Sequence, residues 1–155
     1  MKINKTVFDL NDIMRLLPHR EPFLFVDRIV RFKRDRYIQG EKYLDPDHPV
    51  FKGHFPGNPI LPGVIAADAL AQVSGLLWGF SKQESEKEVS NDKNYAFFLT
   101  STNVKFITPG FAGETMTLVS QPLSRSNNLY PFNVEAFSGK KTICRGRITL
   151  AMDVT

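Results

Sequence analysis

The chain has 155 residues, 42% of them hydrophobic and 23% charged, which is enough for one domain with a real core and ordinary for a soluble globular protein. Its net charge of +4 comes from scattered Lys and Arg residues, a pattern that argues against a nucleic-acid-binding arm yet leaves a mildly basic face for an acidic protein partner. Cys144 is the only cysteine, so no internal disulfide is possible, and the opening MKINKTVFDLNDI has no apolar signal core; we expect a cytoplasmic protein.

Residues 8–17 read as a short helix, with Asp9 or Asn11 as cap, Ile13, Met14, Leu16 and Leu17 as the apolar side and Pro18 as the stop. Residues 23–32 and 37–44 read as strands joined through a charged turn. Residues 45–58 are a loop punctuated by Pro46, Pro49, Gly53, Pro56 and Gly57. A long helix follows over residues 62–81, with Pro62 favoured in its first turn. Residues 82–94 (KQESEKEVSNDKN) form a polar surface loop. Four strands close the chain, over residues 95–106, 115–124, 129–137 and 141–154.

Residues 60–80 are long and apolar enough to raise the question of a membrane span. Asp68 lies near the middle, however, where a charge costs roughly 2.5–3.5 kcal/mol on insertion scales, and Gln72, Ser74 and several Gly and Pro residues dilute the run. A helix buried on all sides within a sheet protein is the better account, so no membrane insertion is expected. One such helix cannot cover itself; several antiparallel strands wrapped around it can. Ala66, Ala67, Ala69, Ala71 and Gly75 let a sheet approach closely. The predicted architecture is α+β, a single domain over residues 1–155 in which an antiparallel sheet curls around one central helix: the hot-dog fold.

Residues 53–72, GHFPGNPILPGVIAADALAQ, gather the chemistry. The first N–H groups of the long helix, at Gly63 and Val64, have no carbonyl partner within it and sit at the positive end of its dipole. Donors so placed polarise a carbonyl as charge builds on its oxygen, and glycine leaves the approach open. An imidazole accepts a proton at physiological pH, which suits His54 to the role of base. Asp68 is a lone carboxylate in apolar company, which pushes an acid toward proton donation. Polarised carbonyl, base and acid are the parts needed to remove a proton beside a carbonyl and expel a β-hydroxyl. The competing readings are a turn histidine and a hydrogen-bonded structural aspartate.

The same residues resemble a known family. Leu17–Pro18–His19–Arg20, Pro22–Phe23–Leu24 and Val26–Asp27–Arg28, then Gly53–His54–Phe55–Pro56–Gly57, Leu61–Pro62–Gly63–Val64, Ala69–Leu70–Ala71–Gln72 and Asn103–Val104–Lys105–Phe106, are similar to segments of the bacterial 3-hydroxyacyl-[acyl-carrier-protein] dehydratases of the FabZ and FabA types. The resemblance covers nearly the whole chain. It implies a homodimer with active sites shared across the interface, His from one subunit and acid from the other, and often a trimer of dimers. It implies dehydration of 3-hydroxyacyl-[acyl carrier protein] to the trans-2-enoyl product with no metal and no bound cofactor, the phosphopantetheine arm belonging to the carrier. His54 would take the α-proton, Asp68 would protonate or orient the leaving hydroxyl, the Gly63 N–H would hold the thioester carbonyl with Val64 beside it, and Gln72 would orient the acid.

Three positions depart from the FabZ pattern. Asp68 stands where that type has Glu and is the FabA-type choice, which leaves open a dehydratase that also isomerises the double bond, or one from a specialised pathway. Phe97 stands where some members carry a Tyr gating the acyl tunnel. Ala112 replaces a turn proline. An acyl thioesterase and a non-catalytic acyl-binding subunit are the remaining alternatives on the same fold. His19 and Arg20 read as structural residues at the helix stop. His48 reads as a loop residue rather than a zinc ligand. Arg125, Lys140, Lys141, Arg145 and Arg147 are candidates for contacting the acidic carrier, against the alternative of a solvated strand face.

Overall fold

The computed structural model describes residues 6–86 and 95–154. Helix α1 (Leu10–Leu16) begins at Asp9, whose carboxylate accepts the Asp12 N–H at 2.9 Å while the Asp12 carboxylate accepts the Asp9 N–H at 3.0 Å, so two otherwise unpartnered donors are satisfied reciprocally. Phe8 lies outside the helix and stacks on Phe80 with ring centroids 3.8 Å apart.

Strand β1 (Arg28–Lys33) is shorter than expected. Leu24, Phe25 and Val26 are all buried, whereas a half-exposed strand would turn every second side chain outward. Residues 23–27 therefore run as a strap over the molecule's central helix. Strand β2 (Tyr37–Tyr43) pairs antiparallel with β1. The following loop holds a four-residue helix, α2 (Val50–Gly53), that sequence periodicity is too short to reveal.

Helix α3 (Gly63–Ser85) starts where expected and ends four residues later, so Lys82 and its neighbours up to Ser85 are helical rather than loop. The rest of the expected surface loop, residues 87–94, lies outside the described residues. Strands β3 (Tyr95–Phe106), β4 (Thr115–Pro122), β5 (Leu129–Ser138) and β6 (Lys141–Val154) complete a six-stranded sheet in the order β1-β2-β4-β5-β6-β3, antiparallel throughout. Alternation places Met116 and Leu118 of β4, Phe132 and Val134 of β5, and Ile148 and Leu150 of β6 on the inner face. There they meet Leu70, Val73, Leu76 and Leu77 of α3, each contributing about 1.5–3 kcal/mol through burial. One polar contact is buried with them: the Ser74 and Ser120 hydroxyls lie 2.7 Å apart, with Ser74 Oγ also donating to the Leu70 carbonyl. By length and composition α3 matches a membrane span, yet 72% of its most apolar window is buried inside the protein. The sheet is what covers it.

Strand β3 forms one edge of the sheet. Among the described residues, the side away from β6 is paired with no other strand, and Phe98, Phe106 and Ile107 are at least half exposed beside it.

Candidate active site

Two groups of residues, one on each flank of α3, carry the chemistry. At the helix start, the ring of His54 is half-buried and its Nδ1 lies 2.7 Å from the Ile60 carbonyl oxygen. Since a carbonyl only accepts, Nδ1 carries the hydrogen and Nε2 is left with the lone pair. The turn is closed by paired bonds between Phe55 and Asn58, each 2.9 Å, and by the Ile60 N–H donating to the His54 carbonyl at 3.0 Å. The imidazole thus sits on a framework of backbone bonds. Ile65 and Ala66 both donate to the Pro62 carbonyl, which leaves the Gly63 and Val64 N–H groups as the free donors of the first turn among the described residues. His54, Gly63, Ala66, Phe106, Ile107 and Ile143 belong to one open cleft of about 400 Å³.

Gly63 has a second reason to lack a side chain. A Cβ there would lie 2.8 Å from Cε1 of Phe106. The ring of β3 packs directly on the helix start, so the approach to Gly63 Cα is occupied within the protomer rather than open. Val64 is 73% exposed, pointing away from the chain's own core.

On the other flank, Asp68, Gln72 and Gly75 follow one another along the helix at spacings of four and three, which puts them on one face. Gln72 is 1% exposed. Its Oε1 accepts the Phe25 N–H at 2.8 Å, and its Nε2 donates to the Phe23 carbonyl at 2.9 Å and to Asp68 Oδ2 at 3.4 Å. One amide therefore ties the 23–25 strap to the helix and orients the carboxyl. Burial pushes the Asp68 acid above the ordinary carboxyl range, while the charge of His19 and the Gln72 hydrogen bond oppose the rise. Phe97 lies over Gly75, where a Cβ would come within 2.1 Å of its ring, and stacks beside His19 at 6.3 Å.

Among the described residues, the cleft at His54 is lined without Asp68. His19 and Arg20 follow the helix stop, with the His19 ring 6.3 Å from that of Phe97. Arg20 does act structurally, donating to the carbonyls of Met14, Leu17 and His19. The His19 imidazole lies beside Phe97, and its buried Nδ1 has no hydrogen-bond partner among the described residues. His48 lies with Nε2 3.1 Å from the Pro22 carbonyl oxygen and Nδ1 accepting the Val50 N–H.

The five basic candidates do not converge. Arg125 is stacked over Tyr130 and bonded to its hydroxyl at 2.8 Å, beyond one end of β5. Lys140 and Lys141 lie in the hairpin at its other end, roughly 30 Å away at the rise of a strand, and Lys141 is paired with Glu114 at 3.3 Å. Arg145 and Arg147 stand together on the outer face of β6, and the sequence reading missed Lys105, which is opposite Arg145 on β3.

A curled antiparallel sheet around one buried helix, with an imidazole at the helix start and a half-buried carboxyl on its flank, defines the class: a hot-dog protein. The particular family is equally plain, for the FabA-like domain matches residues 17–147, and the chain belongs to that family. It is 39% identical over 145 residues to the 3-hydroxyacyl-[acyl-carrier-protein] dehydratase FabZ of Geobacter metallireducens, covering 94% of this chain and 89% of that protein. It is 37% identical to the FabZ of Pseudoalteromonas translucida, covering 92% of each. Among solved structures, the dehydratase heterocomplex ApeI:P from Xenorhabdus doucetiae aligns with a TM-score of 0.74 at 19% identity, over 91% of this chain and 90% of that one. A hypothetical thioesterase with coenzyme A from Streptococcus pneumoniae TIGR4 aligns at 0.60 and 10% identity, over 82% and 85%. At these identities the solved structures speak for the fold alone.

Proposed function

We propose that this protein removes water from 3-hydroxyacyl chains carried on acyl carrier protein, giving the trans-2-enoyl thioester in fatty acid or related acyl-chain synthesis. The observation that carries the reading is that a chain-long likeness to FabZ dehydratases coincides with an imidazole whose Nε2 is free by its bond to Ile60 and an acid pushed upward by burial. His54 Nε2 takes the proton from C2 while the thioester oxygen is held by the Gly63 and Val64 N–H groups. The C3–oxygen bond then breaks, the protonated Asp68 carboxyl gives its proton to the departing hydroxyl, and water leaves. The imidazolium and carboxylate that remain return to their starting forms by one net proton transfer through solvent. The chemistry asks for no metal or bound cofactor, because side chains and backbone N–H groups supply each part.

His54 and Asp68 lie on separate flanks, so we propose that a second copy completes each site, with the partner subunit's Asp68 facing His54. The free edge of β3 and the exposed Phe98 and Phe106 favour that pairing; a trimer of dimers follows from the family resemblance. Lys105, Arg145 and Arg147 form the most compact basic face for an acidic carrier, with Arg125, Lys140 and Lys141 as outlying contacts. We place the enzyme in the cytoplasm with its carrier. Asp68, the FabA-type acid, favours a second reading in which isomerisation follows dehydration. Incubation of the purified protein with medium-chain 3-hydroxyacyl carrier, with products identified by mass and double-bond position, tests both. A trans-2-enoyl product supports the proposal, a mixture with the 3-enoyl isomer supports the second reading, and released free acid would replace both with a thioesterase.

A further inference from the structure

We propose that His48 is a positioning residue: its imidazole fastens the strap that carries the partners of Gln72 to the loop that carries His54, so that one ring sets the orienting amide of the acid against the turn of the base. The inference deepens the dehydratase reading and rests on it for the roles of His54 and Asp68, but the tie itself is defined by hydrogen bonds. The His48 side chain is 12% exposed, and both of its ring nitrogens are engaged. Nδ1 accepts the Val50 N–H at 3.2 Å, so the ring hydrogen lies on Nε2, which donates to the Pro22 carbonyl at 3.1 Å. The Glu21 carboxylate lies 3.9 Å from the same Nε2. The ring also packs beside Phe25, with centroids 5.9 Å apart. His48 therefore meets the strap at two points, a carbonyl and a ring.

Each end of the tie leads to a reacting group. Pro22 precedes Phe23, whose carbonyl accepts from Gln72 Nε2 at 2.9 Å, and Phe25 gives its N–H to Gln72 Oε1 at 2.8 Å. The same Nε2 donates to Asp68 Oδ2 at 3.4 Å. In the other direction Val50 opens α2, which buries Phe51 and runs through Gly53 directly into His54. The ends of the strap are held by other means. Arg20 grips the Met14, Leu17 and His19 carbonyls, and Asp27 accepts the Tyr43 N–H at 2.6 Å and the Lys42 ammonium at 3.0 Å. Between those ends, Gln72 holds the strap from the helix and His48 holds it from the α2 loop. Among the described residues, no other side chain hydrogen-bonds residues 21–26 to residues 44–58. Removing the imidazole thus uncouples two segments whose relative placement the chemistry needs, and a misplacement of about 1 Å is enough to slow a reaction by roughly 10²-fold.

Two substitutions separate this tie from a role confined to the loop of His48 itself. His48→Gln places an amide nitrogen where the ring has Nε2, so it keeps a donor for the Pro22 carbonyl and loses the acceptor for Val50. His48→Asn places an amide oxygen where the ring has Nδ1, so it keeps the acceptor for the N–H two residues on and loses the tie. On a 3-hydroxyacyl thioester, kcat of His48→Asn should fall by about ten-fold with KM changed less than about two-fold, while His48→Gln keeps most of the parent kcat. Equal kcat in the two variants, the reverse order, or a loss confined to KM overturns the proposal. Amide hydrogen exchange in the substrate-free protein reads the tie without turnover. The Phe25 N–H should exchange several-fold faster in His48→Asn than in His48→Gln, and equal exchange in the two also overturns it. A protein with no dehydratase activity would sink the functional reading, and the exchange rates would still decide whether His48 holds the strap.

Discussion

His54 and Asp68 are held by opposite devices. The imidazole rests on backbone: a carbonyl at 2.7 Å and a turn closed by main-chain bonds. The carboxyl rests on a side chain, the Gln72 amide at 3.4 Å, with burial raising its proton affinity. A base needs its lone pair pointed, which a single bond to the other ring nitrogen accomplishes. An acid needs its proton affinity raised, which takes desolvation and a controlled number of neighbours. The backbone-built half therefore tolerates change in surrounding side chains, and the side-chain-built half does not.

The severest test of the contrast removes each group in turn. His54→Ala and Asp68→Ala should each lower dehydration by on the order of 10²–10⁴-fold, followed by the absorbance of the enoyl thioester, while circular dichroism stays native. Mixing the two inactive proteins under subunit exchange should restore part of the activity if the halves meet across a dimer, and a mixture that stays dead would break that arrangement. Gln72→Ala comes next. It leaves the Phe25 N–H and the Phe23 carbonyl without their partner, at about 1–3 kcal/mol for each buried group left unsatisfied. Thermal unfolding should register that loss, with kcat falling alongside because the carboxyl is no longer oriented. A side-chain substitution about two turns earlier, at the exposed Val64, should not have this double effect.

A smaller effect sharpens the same comparison. Asp68 has its proton affinity raised on folding, so the folded state favours its protonated form; this contribution is complete below the ordinary carboxyl range and is lost as pH rises through the folded-state value. Asp68→Asn, neutral at every pH, should therefore unfold at a higher temperature than the parent near neutrality, and the advantage should shrink as pH falls into the carboxyl range. An advantage independent of pH would mean that burial of the charge is not the cause. The least change is expected at Cys144. Its thiol is buried and pushed up to about 11, so alkylation in the native protein at pH 8 should be slow until the chain is unfolded.

Much of this layout was legible in the residues. The lone Asp68 within an apolar helix, the start at Pro62 and the limits of β3 and β6 all follow from local pattern, because propensity and alternation agree there with the tertiary environment. The strap at residues 23–27 was read as strand because Phe, Leu and Val favour one; its all-buried run comes from lying over α3, a tertiary fact. Phe106 on Gly63, Phe97 on Gly75 and His19 beside Phe97 join positions tens of residues apart, and no spacing along the chain encodes which ring meets which glycine. The basic residues misled for the related reason that nearness in sequence, as of Lys140 and Lys141 to Arg145, is stretched into distance by a strand.

Gln72 grips the strap only by its peptide groups, the Phe23 carbonyl and the Phe25 N–H, and every amino acid except proline can offer both. The 63% exposed ring of Phe23 is thus an interchangeable fitting hung on a fixed bracket. Exchanging it would recontour the surface of the strap while leaving in place the amide that orients the carboxyl.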